Sequence, residues 1–354
     1  MKNGCWFLAG TLVFAAFACA DPDAELRQEF REASLALAVQ YPPGSKTAVE
    51  GRNGWILHSR EVNYLTAGNS VGDIAAQAND DSPAEYSEAV SVIINFHRQL
   101  EQRGIELYFV PVPERPVIYP ESILGPEPFA HRKVIPNLHS FLQEVLSVLQ
   151  DRGVKVLDLT HLYLSQREGP NGRAVYCRSE THWTPHAIAL AAKVLAAKIN
   201  EKPWFAAIPK NDFHQRWMLR EHSGSMYRSY EEETGAVLEP DEVSIRSVRL
   251  EKDGERVRIK LNNPQSPVIV MGDSNTIFWN GVDSALPHHL AWELGFPVDV
   301  FASKGGGANV SRLNLIRKIR SEPEYLDGKR VVIWCLSART FTNPKQSWIP
   351  VAID

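Results

Sequence analysis

The chain has 354 residues, with 38 Lys and Arg against 42 Asp and Glu, so its formal net charge is −4. This length allows one large domain or two modest ones. Because the basic residues are scattered and the net charge is slightly negative, we expect no nucleic-acid partner, and a neutral or mildly charged substrate fits the composition.

The first twenty residues are typical of a secretory signal peptide. Lys2 supplies a positive charge, residues 6–17 are mostly apolar, and Ala18-Cys19-Ala20 forms an A-x-A cleavage site. The apolar stretch is shorter than the roughly 20 residues of a transmembrane helix. We therefore expect residues 1–20 to be cleaved and the chain at 21–354 to be periplasmic or secreted, with an uncleaved anchor or a lipoprotein at Cys19 as the alternatives.

Helical and strand-like patterns then alternate along the first half of the chain. Ser82, Pro83 and Glu85 form an N-cap, first-turn and capping-box pattern, and Thr184-Pro185 caps a later helix. A proline-rich loop, PVPERPVIYP, follows the first strand. The predicted elements are helices at 23–40, 82–103, 131–152 and 185–199, and strands at 105–112 and 154–159.

The second half begins with a polar segment and then resumes the alternation. Residues 203–266 are rich in Arg, His, Ser and Glu and end in a predicted hairpin with Asp253-Gly254 at its turn, which we interpret as an insertion on the main sheet. Short apolar strands alternating with helices predict an α/β fold, whose mostly parallel sheet is covered by helices on both faces. The predicted elements are strands at 267–272, 297–302 and 330–336, and helices at 284–295 and 308–320.

Ser274 is the first candidate for chemistry. It lies in the sequence GDSNT at 272–276, directly after the apolar run at 268–271. Ligands of open α/β sheets bind beyond the carboxyl ends of the strands, so a serine on this turn is well placed to act as a nucleophile. A turn favours Gly, Asp and Ser for conformational reasons alone, and Asp273 fits the role of a turn acceptor. The nucleophile reading therefore requires a base and its orienting acid.

His182 and Glu180 supply that base and acid. They lie in Glu180-Thr181-His182-Trp183, and in an extended segment a one-residue spacer puts both side chains on one face. A carboxylate beside an imidazole fixes its tautomer and stabilises the imidazolium. A purely structural histidine is the alternative. A zinc site is not expected, because His186 lies on a helix that begins after His182.

Further residues are candidates for binding. The Ser274 backbone N–H and the segment 305–309 could hold an oxyanion, with an ordinary turn or helix start as the alternative. Loops after the first and last strands and the aromatic residue after His182 are predicted substrate contacts, with ordinary packing as the alternative. The candidates are Gly305, Gly306, Gly307 and Asn309 for the oxyanion, and Arg115, Tyr119, Arg339 and Trp183 for the substrate.

Five segments, in this order along the chain, resemble the SGNH-hydrolase-like proteins of the alginate O-acetyltransferase family, the AlgJ/AlgX type. In that family the acid and histidine precede the serine, as they do here. The segments are GRNGWILHSREVNYL at 51–65, YFVPVPERPVIYP at 108–120, ETHW at 180–183, GDSNT at 272–276 and VVIWCLSARTF at 331–341.

The resemblance implies a circularly rearranged SGNH or flavodoxin-like sheet and an acyl-transfer triad of Ser274, His182 and Glu180. It further implies that an acetyl group moves to or from a polysaccharide hydroxyl outside the cytoplasm, with no cofactor, from a donor supplied by a membrane-bound O-acyltransferase. Glu180 replaces the family's Asp, Asn275 an aromatic residue, Cys335 a glutamate and Arg115 a lysine. A carbohydrate acetylesterase and a non-catalytic glycan-binding or scaffold protein of an export complex are therefore the alternatives.

Two cysteines remain after the expected cleavage, Cys177 and Cys335. Cys177 is close in sequence to the Glu180–His182 loop, and Cys335 ends a neighbouring predicted strand. We hypothesise that a disulfide between them braces the active-site loop.

Overall fold

The computed structural model describes residues 21–42, 45–66, 87–169, 173–343 and 347–353. The predicted signal peptide at 1–20 and the capping pattern at 82–85 lie outside these residues. Within the described ranges, no helix combines the length and the apolar character that crossing a membrane requires.

The strands of the described residues are, in chain order, β1 (Ala48–Glu50), β2 (Ile56–His58), β3 (Glu106–Val112), β4 (Lys155–Val156), β5 (Glu168–Gly169), β6 (Arg173–Ala174), β7 (Phe213–His222), β8 (Asp241–Lys252), β9 (Glu255–Val257), β10 (Val268–Gly272), β11 (Asp299–Ala302) and β12 (Val331–Ser337). The α-helices are α1 (Ala24–Gln40), α2 (Ser59–Leu65), α3 (Ser87–Glu101), α4 (Arg115–Ile118), α5 (Glu121–Leu124), α6 (Phe141–Asp151), α7 (Thr160–Gln166), α8 (Pro185–Asn200), α9 (Ser225–Thr234), α10 (Ser274–Ile277), α11 (Leu286–Leu294) and α12 (Val310–Ser321).

The central sheet has five strands in the order β11-β10-β12-β3-β4, and every pairing in it is parallel. All residues of β10 and β12 are buried, and so is β3 after its first residue. Strands that are apolar and buried along their whole length must be covered on both faces. The α/β fold with helices on both faces of a parallel sheet is therefore confirmed, and Trp334 of β12 lies in its core against Phe96 and Phe109.

The register of this sheet brings three chain segments to one edge. Gly272 at the end of β10 pairs with Cys335 of β12, and Cys335 pairs with Val110 of β3. Because parallel strands all point the same way, the segments that follow β3, β10 and β12 emerge side by side. This edge carries the candidate site.

A separate antiparallel sheet has the order β7-β8-β9. The predicted hairpin between β8 and β9 is present, and its turn residues Asp253 and Gly254 both have positive φ, 53° and 79°, as a type I′ turn requires. Neither β7 nor α9 was predicted. As an edge strand exposed along much of its length, β7 lacks the clean alternation of a half-buried strand.

The helix predicted at 131–152 is wrong in its first part, because α6 begins only at Phe141. Pro136 disfavours the helical conformation of the residue before it. The side chain of Asn137 then accepts a hydrogen bond from the backbone N–H of His139 at 3.0 Å, which favours a turn. By contrast, α8 begins at Pro185 as predicted, with Thr184 as its N-cap.

The hypothesised disulfide is absent, since Cys177 and Cys335 are both free, buried thiols. Cys335 lies inside the central strand β12, held in register between Gly272 and Val110. Cys177 lies in the loop before Glu180, with its sulfur 3.8 Å from the Ser179 hydroxyl. Burial raises the pKa of the Cys177 thiol to about 12, so it is an unreactive thiol.

Gly272 generates a prediction about stability. A Cβ at this position would overlap with the carbonyl oxygen of Cys335 on the neighbouring strand. Because that oxygen is held by the sheet, Gly272→Ala should lower the free energy of unfolding by about 3 kcal/mol, as measured by urea titration. Gly328→Ala is the control, since its Cβ would meet no described heavy atom within 4 Å. Equal stabilities of the two variants would contradict the close approach.

Candidate active site

The serine lies on a turn that its neighbours hold rigidly. Asp273 caps α10, with Oδ1 accepting from the Asn275 N–H at 2.8 Å and Oδ2 accepting from the Ser337 N–H at 2.9 Å. Asp273 is therefore a turn acceptor, as its sequence context indicated. Ser274 is the first residue of α10 and is half-buried at the carboxyl edge of the sheet.

Hydrogen bonds link Ser274 to His182 and His182 to Glu180. The Oγ of Ser274 is 2.9 Å from Nε2 of His182, and Nδ1 of His182 is 2.7 Å from Oε1 of Glu180. These are the distances that a nucleophile, its general base and the group orienting that base require. The structure thus brings together the three residues that the sequence predicted.

Glu180 is fully buried, and its carboxylate is surrounded by donors. The N–H of Thr181 lies 2.8 Å from Oε1, the N–H of Ser225 lies 2.9 Å from Oε2, and the Ser225 hydroxyl lies 3.0 Å from Oε1. Burial raises the pKa of the Glu180 carboxyl, but His182 and the Ser225 donors outweigh burial and hold that pKa well below its usual range. Glu180 is therefore an anion that can stabilise a protonated His182.

Two aromatic side chains hold His182 and its loop. The imidazole stacks on Phe278, with ring centroids 3.9 Å apart and planes 10° from parallel. Trp183 is fully buried and donates from Nε1 to the backbone oxygen of Asn275 at 2.8 Å. Trp183 therefore links the histidine loop to the serine turn, and the prediction that it contacts the substrate is corrected.

Sequence reasoning missed Phe278 and Ser225. Phe278 follows Ser274 by four residues, the spacing that places two side chains on one face of a helix, so a signal for it existed. Ser225 begins α9, and its contact with Glu180 spans 45 residues, which no local pattern reveals.

A cavity of about 110 Å³ opens beside the serine. It is much smaller than the roughly 300–1,000 Å³ of most small-molecule sites, so it suits one small acyl group rather than a whole substrate. Arg60, which is exposed, was not predicted as part of this site. The lining residues are Arg60, Asp273, Ser274, Gly305, Gly307, Ser337, Arg339, Thr340 and Asn343.

The glycine loop contributes backbone rather than side chains. Gly305 and Gly307 have φ of 70° and 51° and line the cavity. Within the described residues, the N–H groups of Ser274 and Gly307 donate to no protein acceptor, so both are available for an oxyanion. The N–H of Gly306 is already used, since it donates to the Ser303 oxygen at 3.2 Å.

Asn309 does not supply an oxyanion donor in this structure. Its amide nitrogen donates to the backbone oxygen of Ser347, and its Oδ1 accepts from the N–H of Ile349 at 3.1 Å and from Arg312 at 2.7 Å. The prediction for Asn309 is corrected, because its side chain braces the loop against the carboxyl-terminal segment.

Arg115 and Tyr119 also differ from their predicted role. Arg115 is fully buried and pairs with Glu61, and the Tyr119 hydroxyl donates to the Arg167 oxygen at 2.6 Å and accepts from the Val175 N–H. Because the loop after β3 folds inward as α4 and α5, these side chains point into the protein, not toward a substrate. Arg339 does line the cavity.

No metal centre is evident in the part of the chain that the structure describes. Across those residues, no three His, Cys, Asp or Glu side chains are grouped so that they could hold an ion.

A parallel sheet with a serine after one strand and a histidine–carboxylate pair facing it is typical of SGNH hydrolase-like proteins. The chain belongs to the family described as the SGNH hydrolase-like domain of the acetyltransferase AlgX, whose family model matches residues 48–338.

Relatives of known name lie in the same family. AlgX, an alginate biosynthesis protein of Pseudomonas putida, is 28% identical over 201 residues, which are 56% of this chain and 37% of that protein. AlgJ of Pseudomonas aeruginosa, named as a probable alginate O-acetylase, is 26% identical over 184 residues, 52% of this chain and 41% of that protein. These matches span less than half of each relative.

Solved structures show the same fold. The O-acetyltransferase domain of Pseudomonas putida AlgJ has a TM-score of 0.60 at 20% identity and covers 86% of this chain and 95% of its own. Pseudomonas aeruginosa AlgX has a TM-score of 0.59 at 19% identity and covers 89% of this chain and 68% of its own. The SGNH-type fold is therefore confirmed.

The variant Glu180→Gln should make the free energy of unfolding less dependent on pH in the acid range. As the pH falls, the unfolded chain protonates its glutamates near pH 4.3, whereas the folded protein keeps Glu180 ionised to a lower pH. Glu180 therefore contributes stability that is fully present above about pH 4.3 and is lost as the pH falls towards its folded pKa. Urea titrations between about pH 7 and about pH 3 should show a steeper loss for the wild type than for the variant. Exposed Glu232→Gln is the control, and equal slopes for wild type and Glu180→Gln would contradict the expectation.

The variant Trp183→Phe tests whether Trp183 links the histidine loop to the serine turn or contacts the substrate. The variant keeps an aromatic ring but removes the donor to the Asn275 oxygen. Because that oxygen lies next to Ser274, kcat for an acetyl ester should fall about tenfold, with KM little changed. Trp217→Phe, on the partly exposed strand β7, should leave both constants unchanged. A raised KM with an unchanged kcat in Trp183→Phe would instead indicate a substrate contact.

Proposed function

We propose that this protein is an O-acetyltransferase that moves an acetyl group to hydroxyls of a polysaccharide outside the cytoplasm. The observation that carries the proposal is the pair of hydrogen bonds that link Ser274 to His182, at 2.9 Å, and His182 to Glu180, at 2.7 Å. Membership of the AlgX acetyltransferase family supports acetyl transfer over other acyl chemistry. The names of relatives from alginate biosynthesis support a polysaccharide acceptor.

The first half of the reaction forms an acetyl-serine. The Oγ of Ser274 attacks the acetyl carbonyl of the donor while Nε2 of His182 takes the hydroxyl proton. The negative oxygen of the tetrahedral intermediate lies against the N–H groups of Ser274 and Gly307. His182 then gives its proton to the leaving group, and the acetyl ester of Ser274 remains.

The second half reverses these roles. A sugar hydroxyl loses its proton to Nε2 of His182 and attacks the acetyl ester, and Ser274 leaves by taking that proton back. Throughout both halves Glu180 stays ionised and stabilises the imidazolium. The small cavity holds the acetyl group, while the polymer lies across the open edge near Arg60 and Arg339.

Localisation and partners follow from this proposal. The signal peptide predicted at residues 1–20 would place the protein in the periplasm or outside the cell. The acetyl group would then have to reach it across the membrane, which favours a membrane-bound O-acyltransferase as the donor partner.

The test compares wild type with Ser274→Ala, using an activated acetyl ester with and without oligosaccharides. Wild type should acetylate the sugar, and the variant should lose at least about 10³-fold in rate, because the nucleophile is removed. Ser321→Ala, at the exposed end of α12, should retain full activity. Acetate release without acetylated sugar would indicate an acetylesterase. If the wild type shows no turnover above that of Ser274→Ala, a non-catalytic glycan-binding protein would be indicated instead.

A further inference from the structure

The two halves of the site come from distant parts of the chain and need a connection. Ser274 follows β10, whereas Glu180 and His182 lie in the loop before α8, and the Ser274–His182 hydrogen bond spans 92 residues. Trp183 makes one connection through the Asn275 oxygen. A second connection runs through two consecutive buried residues after β3, Glu114 and Arg115.

Glu114 reaches the serine turn. Its carboxylate accepts from the Ser337 hydroxyl, from the Arg339 N–H at 2.9 Å and from Arg339 Nη1 at 2.7 Å. The N–H of Ser337 in turn donates to Oδ2 of Asp273 at 2.9 Å, and Asp273 adjoins Ser274. Glu114 therefore fixes the segment after β12, against which the serine turn rests.

Arg115 reaches the histidine loop. Its Nη1 donates to the backbone oxygens of Arg178 at 3.0 Å and Cys177 at 3.3 Å. Its remaining donors form a two-pronged ion pair with Glu61, at 2.8 Å and 2.6 Å, and a hydrogen bond to the Ile56 oxygen at 2.9 Å. Arg115 thus links the backbone two residues before Glu180 to Glu61, which is fully buried.

The carboxyl groups of this connection are buried, and each one has an arginine partner, Arg115 for Glu61 and Arg339 for Glu114. Glu61 and Arg115 are fully buried, and Glu114 is 3% exposed. A buried ion pair contributes little net stability relative to apolar residues of the same size, so its presence calls for another explanation. Fixing atoms that must meet within a few tenths of an ångström is such an explanation, because small displacements in a site cost large factors in rate.

We propose that Glu114 and Arg115 are positioning residues that set the distance between Ser274 and His182. Glu114 acts through Ser337 and Asp273 on the serine, and Arg115 acts through the 177–178 backbone on Glu180 and His182. This inference rests on the proposed function, because the rate it governs is that of acetyl-serine formation.

The test uses Arg115→Met and Arg115→Lys with a matched control. Lysine keeps the charge but cannot donate to Glu61, to the 177–178 backbone and to Ile56 together. Both variants should lower kcat for an acetyl ester about 10²-fold, with KM within a few-fold of wild type. Lys329→Met is the control, since Lys329 is equally buried and also binds one carboxylate, Asp299 at 2.9 Å, and two backbone oxygens. It lies at the opposite end of the strands, so this variant should keep the wild-type kcat.

A second readout reports geometry without turnover. The proton between His182 Nδ1 and Glu180 should give a far-downfield NMR resonance, which should shift or broaden in the Arg115 variants and in Glu114→Gln but not in Lys329→Met. If Arg115→Met does not fold, the double variant Glu61→Leu/Arg115→Met removes both buried charges and serves in its place. Wild-type kcat and an unchanged resonance in the Arg115 variants would overturn the proposal.

Labelling by a fluorophosphonate probe separates the two proposals. If the wild type reacts at Ser274 and the Arg115 variants react about 10²-fold more slowly, both proposals stand. If the wild type reacts and the variants react at the same rate, only the positioning role fails. If the wild type itself does not react at Ser274, the proposed function fails.

Discussion

The hydrogen bond between His182 and Ser274 is the contact on which the rest of the site depends. A serine hydroxyl is a weak nucleophile unless a base lies within hydrogen-bonding distance of it. Here the base comes from a loop before α8 and the serine from a turn after β10, and they meet at 2.9 Å. Every other feature of the site either holds one of these two groups or stabilises the charge that passes between them.

The parallel sheet positions the serine. Because β3, β10 and β12 run in one direction and in register, the segments that follow them emerge at one edge. Gly272 lets β10 turn sharply where any larger residue would meet the Cys335 oxygen. Asp273 then links the turn to the segment after β12. The serine is therefore presented by backbone geometry that the sheet itself enforces.

The small antiparallel sheet and α9 hold the acid of the site, Glu180, and its loop. Ser225 at the start of α9 donates twice to Glu180, and Asp241 at the start of β8 accepts from the Ser179 N–H at 2.8 Å. A buried carboxylate stays ionised only when such donors replace water. The polar segment after α8 thus supports the acid of the site, a different role from the surface contacts that inserted segments often make.

Local patterns in the sequence determined most of the secondary structure and the identity of the reacting groups. Apolar runs located β3, β10, β11 and β12 to within a few residues, and for β3, β10 and β12 the reason is that burial on both faces leaves a pattern that neighbouring residues share. The GDSNT turn and the Glu-x-His pair marked Ser274, His182 and Glu180, and their order along the chain indicated the family that the comparisons confirm.

Only the tertiary structure decided what the other polar side chains contact. Four side chains stood at positions typical of binding residues, yet each one turns inward to partners up to 92 residues away. They are those of Arg115, Tyr119, Asn309 and Trp183. Ser225, Phe278 and Arg60 joined the site without being predicted, and Cys177 and Cys335 remained unpaired. The physical reason is that local sequence fixes backbone conformation and burial, whereas the direction of a side chain depends on a distant donor or charge that no local pattern contains.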